Sequence, residues 1–568
     1  MGRSISSAAT VSVPSHPWFR KFASREFLAI CTTVLLSALL CFLVFTGDPV
    51  RRFNLFQNIA VVFFVLTLLR QFPRPKQVGE VELVSVGPES KGLAGLLAAL
   101  ALGSVAYAAT VPLFFIDDDF VHLDLVRHPF MTAIWPQVTK GQFDGITYIF
   151  YRPLGFFSLF LDYRLWHNWA PGYHLTNILL HLLCIAAVFF FCKELGLRNE
   201  ICVAAPLVFA VLPVNVQAIT WIACRFDQLA TTLGMWSLVF AARFRRTGQI
   251  RSYGMAIFLF VLAVISKESA YVVPVLWLAL ELIPRDQHAL RPTVAKKFGP
   301  LLGYIVVPMV MLLHRFHTLG GIGGYHNGDG TPVATSFGMP SLLGVLVRAP
   351  GETLFGYNWW IHSEARTCVF AAGATGAIFL TLCLFAKTSL ISRRVTWFCL
   401  IWVFAAALPS HFYFRDPDRL FFSRALQFGS IGIAILIALL LGQLFSNPKI
   451  LLGWAFAISL LSFVAVQHNI SAWRLASSAS RSVLAAIDQI QPSPHPNATF
   501  YIKGIPDGIA VVPLFHVGLE SAFRFSYSWR TDIHVDTPNS SSIDPDAIVM
   551  DFTPRVAPSS SLNLRVTK

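Results

Sequence analysis

Three consecutive carboxylates, Asp117, Asp118 and Asp119, stand where a long apolar run of the sequence ends. Carboxylates this close to hydrocarbon are costly unless they face a wet cavity or a charged partner. Like charges also repel one another, so the pKa of at least one should rise toward the range of a useful general base. The alternative is an acidic turn at the membrane boundary that only ends a helix.

Further charged residues from separate apolar runs fall at the same predicted membrane depth. This outer set comprises Arg152, Asp162, Arg225, Asp227, Lys267, Glu268, Arg415, Asp416, Asp418, Arg419 and Arg424. Cations that face a carboxylate cluster suit transfer from an anionic lipid phosphate, because they hold the phosphate while a carboxylate takes the proton of the acceptor. The alternative is that neighbours pair at the interface, Arg225 with Asp227 or Lys267 with Glu268.

Metal-ligand patterns are weak in this sequence. His174 and His181 stand seven residues apart near the outer end of one predicted helix, but a third ligand is not evident. Two such histidines are more often packing residues than metal ligands, so no metal is assigned, and a divalent cation at the Asp cluster is left open. The nine cysteines fall almost entirely inside apolar runs, which argues against a zinc site or a disulfide framework.

The composition places these residues in a membrane. Hydrophobic residues make up 55% of the chain and charged residues 13%, whereas soluble domains average about 25% charged. The formal charge of +14 comes from basic residues clustered in short loops between apolar runs. That is the positive-inside pattern, and it explains the charge without a nucleic acid partner. We therefore expect an all-α polytopic membrane protein that contacts lipid.

Four parts of the chain can be distinguished by composition. They are a cytoplasmic tail (1–27), an extra transmembrane hairpin (28–92), a transmembrane core (93–467) with outer loops at 117–172, 315–366 and 411–424, and an outer tail domain (468–568). About thirteen spans are long enough, or nearly so, for a hydrocarbon core of about 30 Å. An odd count places the N-terminus inside and the C-terminus outside. The weakest spans are 253–268 and 270–283, because Ser266, Lys267 and Glu268 interrupt them.

Two outer regions carry their own patterns. Residues 149–166 are amphipathic and aromatic and are expected to lie along the interface. In the tail, an amphipathic helix at 472–490 precedes strand-like runs at 498–503 and 509–515 and a short helix near 517–525. The tail is therefore predicted to be a small α/β domain. The glycine-rich segment 320–330 lacks the flanks of a phosphate loop.

Four stretches, taken in order, resemble one family. They are YRPLGFFSLFLDYRLWHNWAPGYHLTNILLHLL (151–183), VFAVLPVNVQAITWIACRFDQLAT (208–231), LAVISKESAYVVPVLWLALEL (262–282) and RDPDRLFFSRALQFGS (415–430). Together they resemble polytopic glycosyltransferases of the C-type (GT-C) fold, in particular protein O-mannosyltransferases and the transmembrane O-mannosyltransferases that carry tetratricopeptide repeats. The resemblance covers about 93–467.

That resemblance implies a polyprenyl-phosphate-linked sugar donor and a catalytic carboxylate in the first outer loop. Carried onto this chain, the acidic pair is Asp118–Asp119, with Asp117 beside it. The recurring basic positions, which would bind the donor phosphate, are Arg152, Arg225, Lys267 and Arg419, with Asp227, Glu268 and His174 in support. Where relatives often show His-Pro followed by a Glu, this chain has Leu212-Pro213 and Gln217, and the repeats are missing.

The expected function is that of an inverting glycosyltransferase. It would move a sugar, with mannose as one candidate, from a polyprenyl phosphate to a hydroxyl of a protein, lipid or polysaccharide. A transporter or flippase of a lipid-linked or anionic substrate is the alternative, although no inverted repeat is evident. An inactive relative whose tail docks a partner is a third hypothesis. The expected location is a bacterial inner membrane with the N-terminus cytoplasmic and the C-terminus periplasmic; the endoplasmic reticulum is the alternative.

Overall fold

The computed structural model describes residues 89–144, 148–281, 283, 294–326, 330–335, 338–355, 365–385, 390–414, 422–536, 548–555 and 563–567. Three predicted features lie outside the described residues: the cytoplasmic tail, the first hairpin up to residue 88, and Arg419. Within them the protein is mostly helical, as its succession of apolar runs predicts.

Nineteen α-helices lie in the described part of the chain. They are α1 (Glu89–Tyr107), α2 (Asp118–Val126), α3 (Phe130–Ala133), α4 (Trp135–Thr139), α5 (Pro153–Trp166), α6 (Ala170–Glu194), α7 (Asn199–Ala210), α8 (Val216–Thr220), α9 (Arg225–Thr247), α10 (Ile250–Val264), α11 (Val273–Leu280), α12 (Val294–Leu319), α13 (Met339–Leu343), α14 (Ala349–Phe355), α15 (Ala365–Phe385), α16 (Leu390–Ala407), α17 (Gln427–Leu444), α18 (Pro448–Ile490) and α19 (Leu519–Ser526).

Several of these helices are long and apolar enough to cross a membrane. In the part of the chain that the structure describes, six helices meet this condition, and α7 with α8 makes a seventh if the bent pair is one span. The protein is therefore a multi-pass membrane protein. The predicted number of about thirteen spans stays a prediction.

The core is organised around α17, whose sequence is apolar on every side. It packs against α7, α16 and α18, and 89% of its membrane span is buried. A helix without a polar face belongs in the interior, because no side of it gains from contact with water.

Helix α18 joins two segments that the sequence predicts as separate. A span at 450–467 and an outer helix at 472–490 form one helix of 43 residues, since neither Gly nor Pro stands between them. At 1.5 Å per residue it is about 65 Å long, roughly twice the thickness of a hydrocarbon core. Its outer half reaches the segment before α2, where Ser477 Oγ accepts from Phe114 N at 2.6 Å and Ser480 Oγ donates to Phe115 O at 2.8 Å.

Two spans are interrupted at the level of the predicted outer charges. The helices α7 and α8 bend by 46° across a break that contains Pro213, which cannot donate a backbone hydrogen bond. Helix α10 ends at Val264, and a 3-10 helix (Glu268–Val272) then leads into α11. Lys267 itself has extended backbone. The break after α10 falls at Ser266, Lys267 and Glu268, where the sequence analysis places a polar interruption.

A small sheet lines the same cavity as these breaks, with Phe150 and Tyr325 in its wall. Its strands are β1 (Gln142–Asp144), β2 (Tyr148–Phe150) and β3 (Gly324–Tyr325), antiparallel in the order β1-β2-β3. The predicted interfacial segment 149–166 thus begins as β2 and continues as α5. The glycine-rich segment supplies β3, which pairs Gly324 with Ile149.

The tail carries a second sheet after α18. Its strands are β4 (Thr499–Lys503), β7 (His534–Asp536), β8 (Ile548–Arg555) and β9 (Asn563–Thr567), in the order β7-β4-β8-β9. β4 is parallel to β7 and β8, and β9 is antiparallel to β8. The predicted strand at 498–503 corresponds to β4 and the predicted helix near 517–525 to α19. The predicted strand at 509–515 is instead a tight antiparallel pair, β5 (Gly508–Ile509) and β6 (Val512–Pro513).

Candidate active site

The three aspartates at the start of α2 have different surroundings. Asp117 precedes the helix, and its Oδ1 accepts from the backbone N–H of Val517 at 2.9 Å. Asp119 accepts from the N–H of Ile116 at 3.1 Å and from that of Ala223 at 2.8 Å, one on each carboxylate oxygen. Asp118 makes no hydrogen bond or ion pair with any described residue, and its side chain lines a cavity. Of the three carboxylates, Asp118 is the one left for a ligand.

Burial controls the protonation of the two neighbours. It raises the pKa of Asp117 to about 6, and the charge of Asp118 acts in the same direction. Burial also raises the pKa of Asp119 well above its usual range, although its two amide donors oppose this. The repulsion within the triad predicted from the sequence is therefore present, but desolvation is the larger cause.

His122 joins Asp118 on the cavity side of α2, one helical turn further on. Its ring packs edge-on against Phe156 at 5.6 Å and Phe226 at 5.3 Å. Burial lowers the pKa of His122 to about 4, so the ring is neutral at pH 7. The sequence analysis did not select His122, although its i, i+4 spacing from Asp118 was a usable signal.

The cavity beside α2 has a volume of about 1380 Å³. Its lining comes from α2, the start of α9 and the break before it, the break after α10, α12, the β2–β3 sheet, and the segments that follow α16 and precede α17. Eight charged residues contribute to it: Asp117, Asp118, Arg152, Asp227, Lys267, Glu268, Arg315 and Arg424. Seven of the outer charges predicted to share one face line this cavity, and the eighth, Arg315, was not among those predicted. Of the remaining predicted charges, Asp119, Asp162 and Arg225 do not line it, and Arg415, Asp416, Asp418 and Arg419 lie outside the described residues.

Two of the cations are held by carboxylates. Arg152 binds Glu268 with two hydrogen bonds, Nε to Oε2 at 3.0 Å and NH2 to Oε1 at 2.5 Å. Lys267 Nζ donates to both oxygens of Asp227 at 2.6 and 2.7 Å. These pairs form between distant parts of the chain and replace the pairing of sequence neighbours that the alternative interpretation expected.

Two further arginines have no carboxylate partner among the described residues. Arg315, on α12, is 7% exposed and makes no hydrogen bond or salt bridge with them. Arg424, before α17, lies over the Trp221 ring at 5.1 Å, and its NH1 is 3.9 Å from Cys224 Sγ. Arg315 is buried and feels the charge of Glu268 without a direct bond to it, whereas Arg424 is partly exposed. Because neither guanidinium is fully paired with a carboxylate, both residues are candidates for binding an anionic ligand. Arg315 was missed by the sequence analysis, although a charge within the apolar run of α12 is such a signal.

Arg225 and His174 do not line the cavity. Arg225 is fully buried, and its guanidinium binds Asp162 Oδ2 at 2.7 Å, Ser158 Oγ at 3.0 Å and the Tyr173 carbonyl at 3.0 Å. A fourth bond goes from its Nε to Asn177 Oδ1. His174 is 2% exposed on α6. Both residues therefore lie in the packing behind the site.

One wall of the cavity is apolar and faces outward from the helices. Met309, Leu312, Leu313 and Phe316 on α12 line the cavity and are 52%, 42%, 65% and 56% exposed. In a membrane such side chains contact hydrocarbon, so the cavity joins a charged interior to a lipid-facing flank.

No group of three or more His, Cys, Asp or Glu residues is arranged to hold a metal ion in the described part of the chain. Within the triad, Asp117 and Asp119 already accept hydrogen bonds from backbone amides.

One cavity thus brings together cations, carboxylates and an apolar wall. In sequence, the chain is 28% identical over 165 residues to Protein O-mannosyl-transferase F38B6.6 of Caenorhabditis elegans, covering 26% of this chain and 23% of that protein. It is 27% identical over 193 residues to Protein O-mannosyl-transferase Tmtc1 of Drosophila melanogaster, covering 32% and 22%. These matches span less than a quarter of either relative. The resemblance to protein O-mannosyltransferases is confirmed.

Solved structures give more distant similarities, and no family model matches the chain. ArnT from Cupriavidus metallidurans in the apo state aligns with a TM-score of 0.43 and 13% identity, covering 80% of this chain and 87% of ArnT. An Archaeoglobus fulgidus oligosaccharyltransferase tethered with an acceptor peptide aligns with a TM-score of 0.40 and 12% identity, covering 73% and 62%. Scores at this level carry no conclusion about this chain.

Proposed function

We propose that the protein is an inverting glycosyltransferase that moves a sugar from a polyprenyl-phosphate donor to an acceptor hydroxyl. The observation that carries the proposal is the cavity itself. Within the described residues it combines a carboxylate that makes no hydrogen bond or ion pair, Asp118, with two guanidinium groups that form no salt bridge, Arg315 and Arg424. A base and an anion site in one cavity are what transfer from a lipid phosphate needs.

Asp118 acts as the general base in this proposal. It accepts the proton of the acceptor hydroxyl, whose oxygen attacks the anomeric carbon from the face opposite the phosphate. The bond between the anomeric carbon and the phosphate oxygen breaks, and the configuration inverts. His122, one turn along the same helix and neutral at pH 7, can orient the acceptor by a hydrogen bond. Asp119 is left out because both of its oxygens already accept amide protons.

Arg315 and Arg424 hold the donor phosphate and stabilise it as it leaves. Arg152 and Lys267 line the same cavity within their ion pairs, and their remaining N–H groups can donate hydrogen bonds to the donor. Arg225, which the family resemblance also implicated, is left out because its donors are taken up in the interior. The role of Arg419 stays a prediction.

The polyprenyl chain lies along the apolar flank of α12 in this proposal. The exposed side chains there offer hydrocarbon contact directly beside the charged cavity. A flank that contacts hydrocarbon accommodates a lipid tail without removing it from the bilayer, and it offers no polar partner to a soluble nucleotide sugar.

The predicted domains complete the proposal. The transmembrane core (93–467) is catalytic, the cavity and the tail domain (468–568) are on the outer side, and the N-terminus is cytoplasmic. A bacterial inner membrane remains the preferred location over the endoplasmic reticulum. Mannose remains one candidate sugar, and a protein, lipid or polysaccharide remains the acceptor class.

The test uses the full-length protein in lipid nanodiscs with a panel of radiolabelled polyprenyl-phosphate sugars. Wild type is compared with Asp118→Asn and with a matched control, Asp488→Asn, an exposed aspartate on α18. We expect wild type and the control to release sugar from one donor and Asp118→Asn to fail. Movement of intact donor across the bilayer without a new glycosidic bond would replace the proposal by the transporter alternative.

A further inference from the structure

A loop of the tail domain lies directly against the aspartate triad. In this loop, Leu514–Gly518, the Leu514 carbonyl accepts from Asp117 N at 2.9 Å, and Val517 N donates to Asp117 Oδ1 at 2.9 Å. These residues are about 400 positions apart in the chain. His516 and Val517 also line the cavity. The tail is therefore part of the wall of the candidate active site.

The loop holds Asp117 where its backbone is strained. Asp117 has φ 48° and ψ −121°, a conformation that residues with a side chain rarely adopt. A residue in such a conformation is strained and persists only where its surroundings enforce it. The next residue is Asp118, so the orientation of the unpaired carboxylate depends directly on this backbone.

Close approach at one glycine makes the contact possible. A Cβ atom at Gly518 would lie 2.0 Å from the carbonyl oxygen of Asp117. That oxygen belongs to the backbone and cannot swing aside, so any larger residue at 518 must push the loop away from α2. The backbone of Gly518 has a negative φ of −88°, which alanine adopts without strain. Alanine at this position therefore acts on the contact and not on the local conformation of the loop.

The loop is anchored to α2 on both sides of this contact. Phe515 stacks on Phe120 with ring centroids 6.0 Å apart, and Phe525 of α19 meets the same Phe120 ring at 5.5 Å. Further along, Arg524 pairs with Asp124 at 3.4 Å. The tail domain therefore contacts α2 along about two helical turns, and these contacts hold the loop in place.

We propose that the loop Leu514–Gly518 is a positioning element of the active site: it holds the strained backbone of Asp117 and thereby aims Asp118 into the cavity. The assignment of a catalytic consequence rests on the function proposed above. The tail domain is then required for turnover, although its own side chains perform no chemical step. The loop therefore affects kcat but not the affinity for the donor, because the donor binds to other parts of the cavity wall.

The first measurement is hydrogen exchange in full-length Gly518→Ala, which needs no enzymatic activity. We expect the amides of residues 114–120 to exchange about tenfold faster than in wild type, since the contact that protects them is lost. The matched control is Gly453→Ala on α18, where an added Cβ meets nothing within 4 Å. Unchanged exchange in Gly518→Ala would show that the loop does not hold this segment and would overturn the proposal.

The second measurement is transfer kinetics of the same variants. Misplacing a reacting group by about 1 Å can cost about 100-fold, so we expect kcat of Gly518→Ala to fall by about 10- to 100-fold with the donor Kd unchanged. Wild-type kcat together with faster exchange would overturn the catalytic part of the proposal. If wild type itself transfers no sugar, the proposed function fails, and the exchange experiment alone still decides whether the loop holds Asp117.

A rescue experiment separates positioning from general damage. Glycine adopts the backbone of Asp117 without strain, so Asp117→Gly should need the loop less. We expect Gly518→Ala to reduce kcat several-fold less in the Asp117→Gly background than in the wild-type background. Equal losses in both backgrounds would mean that Gly518 acts by another route, and the proposal would be wrong.

Discussion

Two arginines, Arg225 and Arg315, have opposite surroundings. Arg225 is fully buried, and its guanidinium binds Asp162, Asn177, Ser158 and the Tyr173 carbonyl. Arg315 is only 7% exposed, yet it makes no hydrogen bond or salt bridge with a described residue, and only the charge of Glu268 acts on it at longer range. Removing a partner from a fully paired buried arginine is strongly destabilising, whereas an incompletely paired one costs stability that a bound anion can offset.

The comparison shows that residue type does not decide the role of a charge in this protein. The sequence places Arg225 in the motif-like run 208–231, and Arg315 in an apolar helix where no motif marks it. Only the second faces the cavity. The predictions below test whether the paired group serves folding and the unpaired groups serve binding and catalysis.

The largest effect is expected at Asp118. Its replacement by Asn removes the proposed base while keeping the size of the side chain, so transfer should fall by about 10²–10⁴-fold. Because Asp118 has no partner to lose, the melting temperature should stay at the wild-type value. Initial rates and thermal melts of the same preparation check both statements. A large loss of stability in Asp118→Asn would show that Asp118 serves folding rather than catalysis.

The next effect concerns the interior pair. Arg225→Met leaves Asp162 buried without its cation, which should cost about 3–5 kcal/mol of stability. The double variant Arg225→Met/Asp162→Leu removes both charges and should recover most of that loss. Thermal unfolding in detergent measures the cycle. Wild-type stability with weakened donor binding in Arg225→Met would reverse the comparison and restore Arg225 to the donor site.

A smaller effect is expected for the unpaired arginines. Arg315→Gln and Arg424→Gln each remove hydrogen bonds to a charged phosphate worth about 1.5–3 kcal/mol, so the Kd for polyprenyl phosphate should rise by about 10- to 100-fold. Their stability should be unchanged or higher, because an uncompensated buried charge is lost. Arg251→Gln, at an exposed position on α10, is the control. Unchanged affinity in both variants would exclude the two residues from the phosphate site.

The last effect is a change of stability at Asp117 that appears only as the pH rises. The folded-state pKa of Asp117 is about 6, above the ordinary 3.8, so its contribution to stability is complete below pH 4 and is lost as the pH rises through 6. Asp117→Asn cannot ionise. It should therefore match wild type near pH 4 and exceed it by on the order of 3 kcal/mol at pH 8. Melting curves at the two pH values measure this difference, and a pH-independent difference would contradict the raised pKa.

The partners in the ion pairs could not be predicted from the sequence. Neighbours in sequence, Arg225 with Asp227 and Lys267 with Glu268, were the obvious pairs. The structure pairs Lys267 with Asp227 across 40 positions and Arg152 with Glu268 across 116. Two adjacent residues in extended or 3-10 backbone point to different neighbours, so the partner depends on which helix lies opposite.

The sequence by itself determined the class of the protein and the level of the site. Apolar runs, basic inner loops and the ordered motifs led to a multi-pass helical protein that resembles protein O-mannosyltransferases, because hydrocarbon tolerates few other patterns. Only the tertiary structure decided that Asp118 and not Asp119 faces the cavity, that Arg315 belongs to it, and that the tail reaches Asp117. These features depend on packing between residues up to about 400 positions apart, and local periodicity carries no information about such contacts.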